Sequence, residues 1–188
     1  LNADFNYRHI NDYIIRTINQ KGVAVSTNHG KVQSTGVDLS AHYFYKDIFT
    51  LGGSYSLQNT RDKEKLNQIG AKSSTYNNRV PNTPYNFGGM EFSYNIKHVF
   101  GKFNALTVCY NMSYIHKFFR SWEGDGAKLY IPEQMSHDAS VIYVMNDGKY
   151  NISLEANNFT NALLYDNYSL QKPGRNFSVK FRYFLYKE

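Results

Sequence analysis

The chain has 188 residues with 17 Tyr and 13 Phe but 4 Pro, and its 21 Lys and Arg against 15 Asp and Glu give a formal net charge of +6. That aromatic content excludes disorder. The single cysteine, Cys109, excludes an internal disulfide framework and a multi-cysteine metal site, and scattered cations do not make the clustered surface that a nucleic acid needs.

No run of about 18 apolar residues exists, so no transmembrane helix is expected. The mean hydropathy of -0.56 does not remove a membrane, because strands that alternate apolar and polar residues average to a polar score. Leu1 is neither an initiator Met nor the start of a signal peptide, and the chain reads as a piece of a longer precursor.

The dominant period along the chain is two, which predicts strands. A first, less regular strand covers about 1–17. Val37, Leu39, Ala41, Tyr43 and Tyr45 then oppose Asp38, Ser40 and His42. Phe49, Leu51, Gly53, Tyr55 and Leu57 oppose Thr50, Gly52, Ser54, Ser56 and Gln58. Met90, Phe92, Tyr94 and Ile96 alternate with Glu91, Ser93 and Asn95. Leu106, Val108, Tyr110, Met112 and Tyr114 alternate with Thr107, Cys109, Asn111 and Ser113. Ala139, Val141, Tyr143 and Met145 follow, with Ile142 and Val144 blurring the polar side. Tyr150, Ile152, Leu154 and Ala156 oppose Asn151, Ser153, Glu155 and Asn157. Last, Phe177, Val179, Phe181, Tyr183 and Leu185 oppose Ser178, Lys180 and Arg182.

These are about eight strands, most of about 9 to 15 residues, and about 9 to 11 tilted residues cross a bilayer. The strands of a two-layer sandwich are commonly shorter, about 5 to 6 residues. Tyr45, Tyr85, Tyr94, Tyr114 and Tyr183 lie near strand ends, where aromatic girdles would place them, although ordinary sheet aromatics look the same.

The connections alternate in length. Long ones are expected near 18–31, 60–83, 119–133 and 159–175. Short ones are expected at Lys46-Asp47, near 98–102, and at Asn146-Asp147-Gly148-Lys149, where Asp-Gly supplies the positive φ of a tight hairpin. Short turns at one end and long loops at the other are the pattern of an outer-membrane barrel, and with the long loops outside the C-terminus is periplasmic.

Three stretches resemble one family. Ser34-Thr35-Gly36-Val37-Asp38-Leu39 resembles a strand opening of TonB-dependent receptors, and Arg79-Val80-Pro81-Asn82-Thr83-Pro84-Tyr85 resembles the segment leading into a later barrel strand. The most specific is the end. Asn157-Asn158-Phe159-Thr160-Asn161, Leu164-Tyr165-Asp166-Asn167-Tyr168 and Leu170-Gln171-Lys172-Pro173-Gly174-Arg175-Asn176-Phe177 resemble the family's C-terminal signature, with Phe181 and Tyr183 in its final strand. Tyr186-Lys187-Glu188 departs from it, since the family usually stops on an aromatic residue.

The resemblance implies that residues 1–188 are about the last eight strands of a 22-stranded outer-membrane β-barrel, without its plug domain. It implies TonB-driven uptake of a ferric siderophore, haem, cobalamin or glycan. It also implies contacts with outer-membrane lipid, with TonB through the missing plug, and with the barrel assembly machinery. A passive porin-like or adhesin-type barrel and a soluble all-β binding domain are the other readings.

No enzyme and no cofactor are expected. Ser136-His137-Asp138 carries the residue types of a hydrolase, but on a strand neighbours point to opposite faces, so His137 cannot join both partners. His9, His29, His42, His98, His116 and His137 show no paired metal spacing. Glu123-Gly124-Asp125-Gly126 supplies two carboxylates, fewer oxygens than a calcium loop presents.

Candidate ligand contacts in the outer loops are Arg61, Tyr76, Arg79, His116, Arg120, Trp122 and Tyr130, because rings beside guanidinium groups suit a sugar or an anionic chelate. The alternatives for the same residues are loop packing and a solvated charge run, the latter at Arg61, Asp62, Lys63, Glu64 and Lys65.

Overall fold

A computed structural model describes residues 1–18, 24–67, 69–124, 129–167 and 170–185. The elements in chain order are β1 (Asn2–Ile18), β2 (Ala24–Tyr45), β3 (Phe49–Asp62), β4 (Asn86–Lys97), β5 (Ala105–Ile115), β6 (Phe118–Phe119), β7 (Tyr130–Ile131), β8 (Gln134–Met145), β9 (Tyr150–Asn157), β10 (Tyr165–Asn167), β11 (Leu170–Gln171) and β12 (Asn176–Tyr183). Eight of them form one antiparallel meander in the order β1-β2-β3-β4-β5-β8-β9-β12, and β6-β7 and β10-β11 are separate small hairpins. The large sheet is open: β1 and β12 are its edges and are not paired with each other.

The period of two sets the register, because only one alignment keeps every apolar side chain on the same face. One row across seven strands reads Tyr45, Phe49, Tyr94, Val108, Val141, Leu154 and Val179. A row on the opposite face reads Asn2, Ser40, Ser54, Gly89, Ser113 and Ser136. The apolar face is uncovered. Leu154 is 53% exposed, Val179 72% and Phe181 65%. Among the described residues the buried apolar side chains are Val32, Val80, Phe118 and Ile131, all outside the apolar rows.

On β3 the apolar face runs from Phe49 to Leu57 and turns polar at Asn59 and Arg61. At about 3.3 Å per residue and a tilt of roughly 35–45° this is about 20–25 Å of height, close to the roughly 25 Å apolar band of an outer-membrane barrel. Aromatic rings mark both borders. At the short-turn end Tyr150 and Tyr183 stack at 5.1 Å, and Phe49 lies 5.6 Å from Tyr43 and 5.8 Å from Phe92. At the long-loop end stand Tyr55, Tyr85 and Tyr114.

The three short connections fall at one end of the sheet. The Asn146–Gly148 turn has positive φ at Asn146 (51°), Asp147 (54°) and Gly148 (91°). Two successive positive φ values match the right-handed twist of the flanking strands, which is why Asn and Asp head this hairpin.

The expected long loop over 18–31 is a correction. β1 continues to Ile18 and β2 begins at Ala24, so most of that stretch is strand, paired as Ile10 with Val32, Tyr13 with His29 and Ile14 with Asn28. A ladder needs paired backbone groups and not an alternating pattern, so a hairpin standing in water is invisible to periodicity. β12 ends at Tyr183, two residues before the expected Leu185. Tyr168 and Tyr186-Lys187-Glu188 lie outside the described residues.

Candidate functional site

The long connections 63–85 and 116–133 pack together at one end of the sheet, held by a carboxylate between two arginines. β3 carries Arg61 beyond the apolar band, and an isolated antiparallel bridge places Arg79 opposite it. The Glu123 Oε2 accepts from Arg61 Nη1 and from the Arg79 backbone N–H, each at 3.2 Å. Arg61 also donates to the Asn59 side-chain oxygen at 2.9 Å and to the Asn77 carbonyl at 2.6 Å. A second tie runs from the Asn82 N–H to the Phe119 carbonyl at 2.8 Å. Arg61 is therefore spent on joining two loops. Glu123 serves the same clamp, a use unlike calcium ligation, and its proposed companions Asp125 and Gly126 lie outside the described residues.

Arg79 aims its side chain elsewhere. Its guanidinium sits 3.9 Å from the centre of the Tyr85 ring. Tyr85 meets the edge of His116 at 5.7 Å. His116 Nδ1 lies 3.0 Å from Glu133 Oε2 and 3.0 Å from the Tyr114 hydroxyl, which itself donates to Glu133 at 3.0 Å. The structure thus brings Arg79 and His116 into one chain through Tyr85, Tyr114 and Glu133, three residues that the sequence reading did not single out as contacts. Their only signal was position: each stands within two residues of the place where a strand's apolar face ends.

Arg120 and Tyr130 lie on the β6-β7 hairpin region. The Arg120 N–H donates to the Leu129 carbonyl at 2.9 Å, and Tyr130 stacks on Phe119 at 5.0 Å. Arg120 and Trp122 are half-buried, and Tyr130 is exposed. Tyr76 is exposed in the turn of the 63–85 connection. The buried Asp62 organises that connection from below, accepting from the Thr75 hydroxyl at 2.5 Å and the Glu64 N–H at 2.7 Å.

The C-terminal signature residues build a corner. Asn158, buried and at φ 47°, donates to the Ala162 carbonyl and accepts from the Ala162 N–H, both at 2.9 Å. Its own N–H donates to Asp138 Oδ1 at 2.7 Å. Asn161 then accepts from the Arg175 N–H at 3.1 Å, and a side chain at Gly174 would meet that same oxygen at 2.9 Å. Pro173 and Gly174 so lead toward β12; Arg175, just before the strand, stands over the Phe177 ring at 5.8 Å, and Phe181 and Tyr183 continue the apolar face.

The Ser136-His137-Asp138 stretch separates as expected on a strand. Asp138 faces the Asn158 corner, while His137 pairs with the Tyr110 hydroxyl at 2.7 Å and with the Phe159 ring. On the polar face His42 Nδ1 meets Glu91 Oε1 at 3.3 Å across Gly52, which stands between them in register.

A family model described as "TonB dependent receptor-like, beta-barrel" matches residues 1–159. No curated protein matches the sequence. Among solved structures, the fold is similar to the ferric yersiniabactin uptake receptor FyuA from Yersinia pestis, with TM-score 0.72 and 19% identity over 98% of this chain and 27% of that one. It is also similar to the FrpB iron transporter from Neisseria meningitidis, with TM-score 0.65 and 15% identity over 94% and 28%. The ferric preacinetobactin receptor BauA from Acinetobacter baumannii gives TM-score 0.64 and 13% identity over 96% and 26%. The chain therefore spans little more than a quarter of the length of these proteins.

Proposed function

The chain belongs to the TonB-dependent receptor-like β-barrel family, a family of the Gram-negative outer membrane, and from that premise we propose that it is the C-terminal barrel segment of a receptor that imports a ferric chelate. The observation that carries the cargo class is the set of structural neighbours: two ferric-siderophore receptors and an iron transporter. Haem, cobalamin and glycan remain the other cargoes of the same reading.

In this role the apolar face meets lipid and the polar face lines the lumen, where a plug from elsewhere in the receptor would sit. The 63–85 and 116–133 connections lie outside the cell and the C-terminus is periplasmic. Arg61 and His116 act as scaffold, Arg61 through its bonds to Asn59, Asn77 and Glu123 and His116 through its Nδ1 beside Glu133 and Tyr114. Cargo contact is assigned to the exposed rings of Tyr76 and Tyr130, with Arg120 and Trp122 on the same connection as Tyr130, since rings and a guanidinium suit an anionic chelate. Import needs the plug and energy through TonB, and no residue of this segment does covalent chemistry.

The test is uptake of radiolabelled iron chelates by cells with and without the intact receptor, in TonB-positive and TonB-negative backgrounds. Receptor- and TonB-dependent accumulation of one ferric chelate is the expected result. Passage that ignores TonB would mean a passive barrel and would overturn the proposal.

A further inference from the structure

We propose that Tyr114, His116 and Glu133 form a binding site for a divalent transition-metal ion, matched best by Zn²⁺, that ties together the two ends of the 116–133 connection. The inference goes beyond the cargo reading and does not depend on it.

The register sets the three side chains together. β5 and β8 pair with Tyr114 opposite Met135 and Ile115 opposite Gln134. One step beyond that ladder His116 stands opposite Glu133, and Tyr114, two residues back, shares the face of His116. Both ends of the connection are fixed independently of the cluster. The His116 N–H donates to the Asn86 carbonyl at 2.9 Å. Gln134, next to Glu133, is buried and accepts from the Tyr165 N–H at 2.6 Å. The Tyr85 ring meets the imidazole edge-on at 5.7 Å and holds its plane.

Three donor atoms converge there. His116 Nδ1, the Tyr114 hydroxyl oxygen and Glu133 Oε2 are 3.0 Å apart on every edge of a triangle. Hydrogen bonds alone do not satisfy that triangle. The hydroxyl carries one proton, Nδ1 at most one and the carboxylate none, so at most two protons serve three edges. One ion takes a lone pair from all three. At about 2.1 Å from each donor it stands roughly 1.2 Å off their plane, and tetrahedral or octahedral ligands at that distance are roughly 3.0–3.4 Å apart. The donor set chooses the class. Mg²⁺ and Ca²⁺ take oxygen ligands, whereas an imidazole nitrogen beside two oxygens suits a transition metal. Zn²⁺ accepts three such protein ligands and keeps a further position open. Tyr114 and His116 are half-buried and Glu133 is exposed, so the ion has a path in.

The test uses the intact receptor, purified in detergent and stripped of metal with a chelator. Co²⁺ is titrated in and followed by its visible absorption, and Zn²⁺ or Ca²⁺ is then added to displace it. His116→Gln and Glu133→Gln are compared with His42→Gln, which alters the separate His42-Glu91 pair on the polar face. The expected result is saturable Co²⁺ binding that Zn²⁺ displaces and excess Ca²⁺ does not. His116→Gln and Glu133→Gln each weaken it at least about tenfold, and His42→Gln leaves it unchanged. Equal Co²⁺ binding in the receptor and in both cluster variants would overturn the site. Displacement by Ca²⁺ as readily as by Zn²⁺ would overturn the choice of a transition metal. A second measurement needs no variant. An ion on Nδ1 leaves the imidazole proton on Nε2, so neither nitrogen of His116 keeps a free lone pair. Diethyl pyrocarbonate labelling of His116 in the unaltered receptor, mapped by peptide mass, therefore falls at least about fivefold on saturation with Zn²⁺. Unchanged labelling of His116 would overturn the site even where a variant fails to fold.

Discussion

Lys180 on β12 places its Nζ 2.8 and 2.7 Å from the two carboxylate oxygens of Glu155 on β9, while Val179, one residue earlier, is 72% exposed on the other side of the sheet. Ser178 and Ser153 also donate to that carboxylate, at 3.2 and 3.4 Å. One strand thus carries a solvated ion pair and a bare apolar row a single residue apart.

The two faces should respond oppositely to charge. Lys180→Met leaves receptor stability nearly unchanged, since exposed ion pairs contribute little. Val179→Lys, near the middle of the apolar band, costs about 2–4 kcal/mol. Denaturant titration of the intact receptor refolded into vesicles measures both, and equal costs would mean that neither face meets lipid.

Cys109 supplies a second readout of the same asymmetry. It lies on the polar face in a row with Ser93 and Ser140, beside Val108 of the apolar face. A fluorophore on Cys109 should escape quenching by nitroxide lipids. The same fluorophore on a Val108→Cys, Cys109→Ser variant should be quenched. The reverse pattern would invert the assignment of faces.

Glycines on the two faces should differ in tolerance. An alanine Cβ at Gly88 would stand 2.6 Å from the Ser54 carbonyl oxygen, part of the neighbouring backbone. At Gly52 the nearest atoms are the Glu91 and His42 side chains at 2.6–2.8 Å, which can swing aside. Gly88→Ala is expected to cost about 1–3 kcal/mol and Gly52→Ala less than about 1 kcal/mol. The thermal midpoints of the two variants rank them.

Asn158→Ala removes both bonds to Ala162 and leaves a left-handed backbone without its amide. The expected loss is about 2–3 kcal/mol, with Asn158→Asp intermediate because it keeps the acceptor. Chemical unfolding of the receptor checks the order.

Glu123→Ala releases Arg61 and the Arg79 N–H together. The loop pair should open with a cost of about 1 kcal/mol, roughly a fivefold rise in the open population. Limited proteolysis within 63–85 reads that rise, and an unchanged cleavage rate would mean that the clamp holds nothing.

Wherever one face of a strand is regularly apolar, the sequence made the structure readable. From Phe49 to Leu57 and from Tyr150 to Ala156 the alternation located strand, face and register at once. It failed over 24–31, which is mostly polar and carries no alternation, although it pairs with β1. At the loop end it named Arg61, Arg79 and His116 but not their work. Glu123 lies 62 residues from Arg61 in the chain, and no local pattern announces a carboxylate that closes a gap of that length. The Asn158 corner was legible as a resemblance, and the structure supplies its physical basis, since both ends of one amide are used.

The β1-β2 hairpin rises about a dozen residues beyond the row of Val37, roughly 30 Å above the apolar band. Such an overhang is a two-stranded parapet. A peptide copied from 24–35 would lack the neighbour that gives those residues their shape, so antibodies raised on it would miss the protein. Recognition of this rim by an antibody or a phage must read side chains from two strands at once.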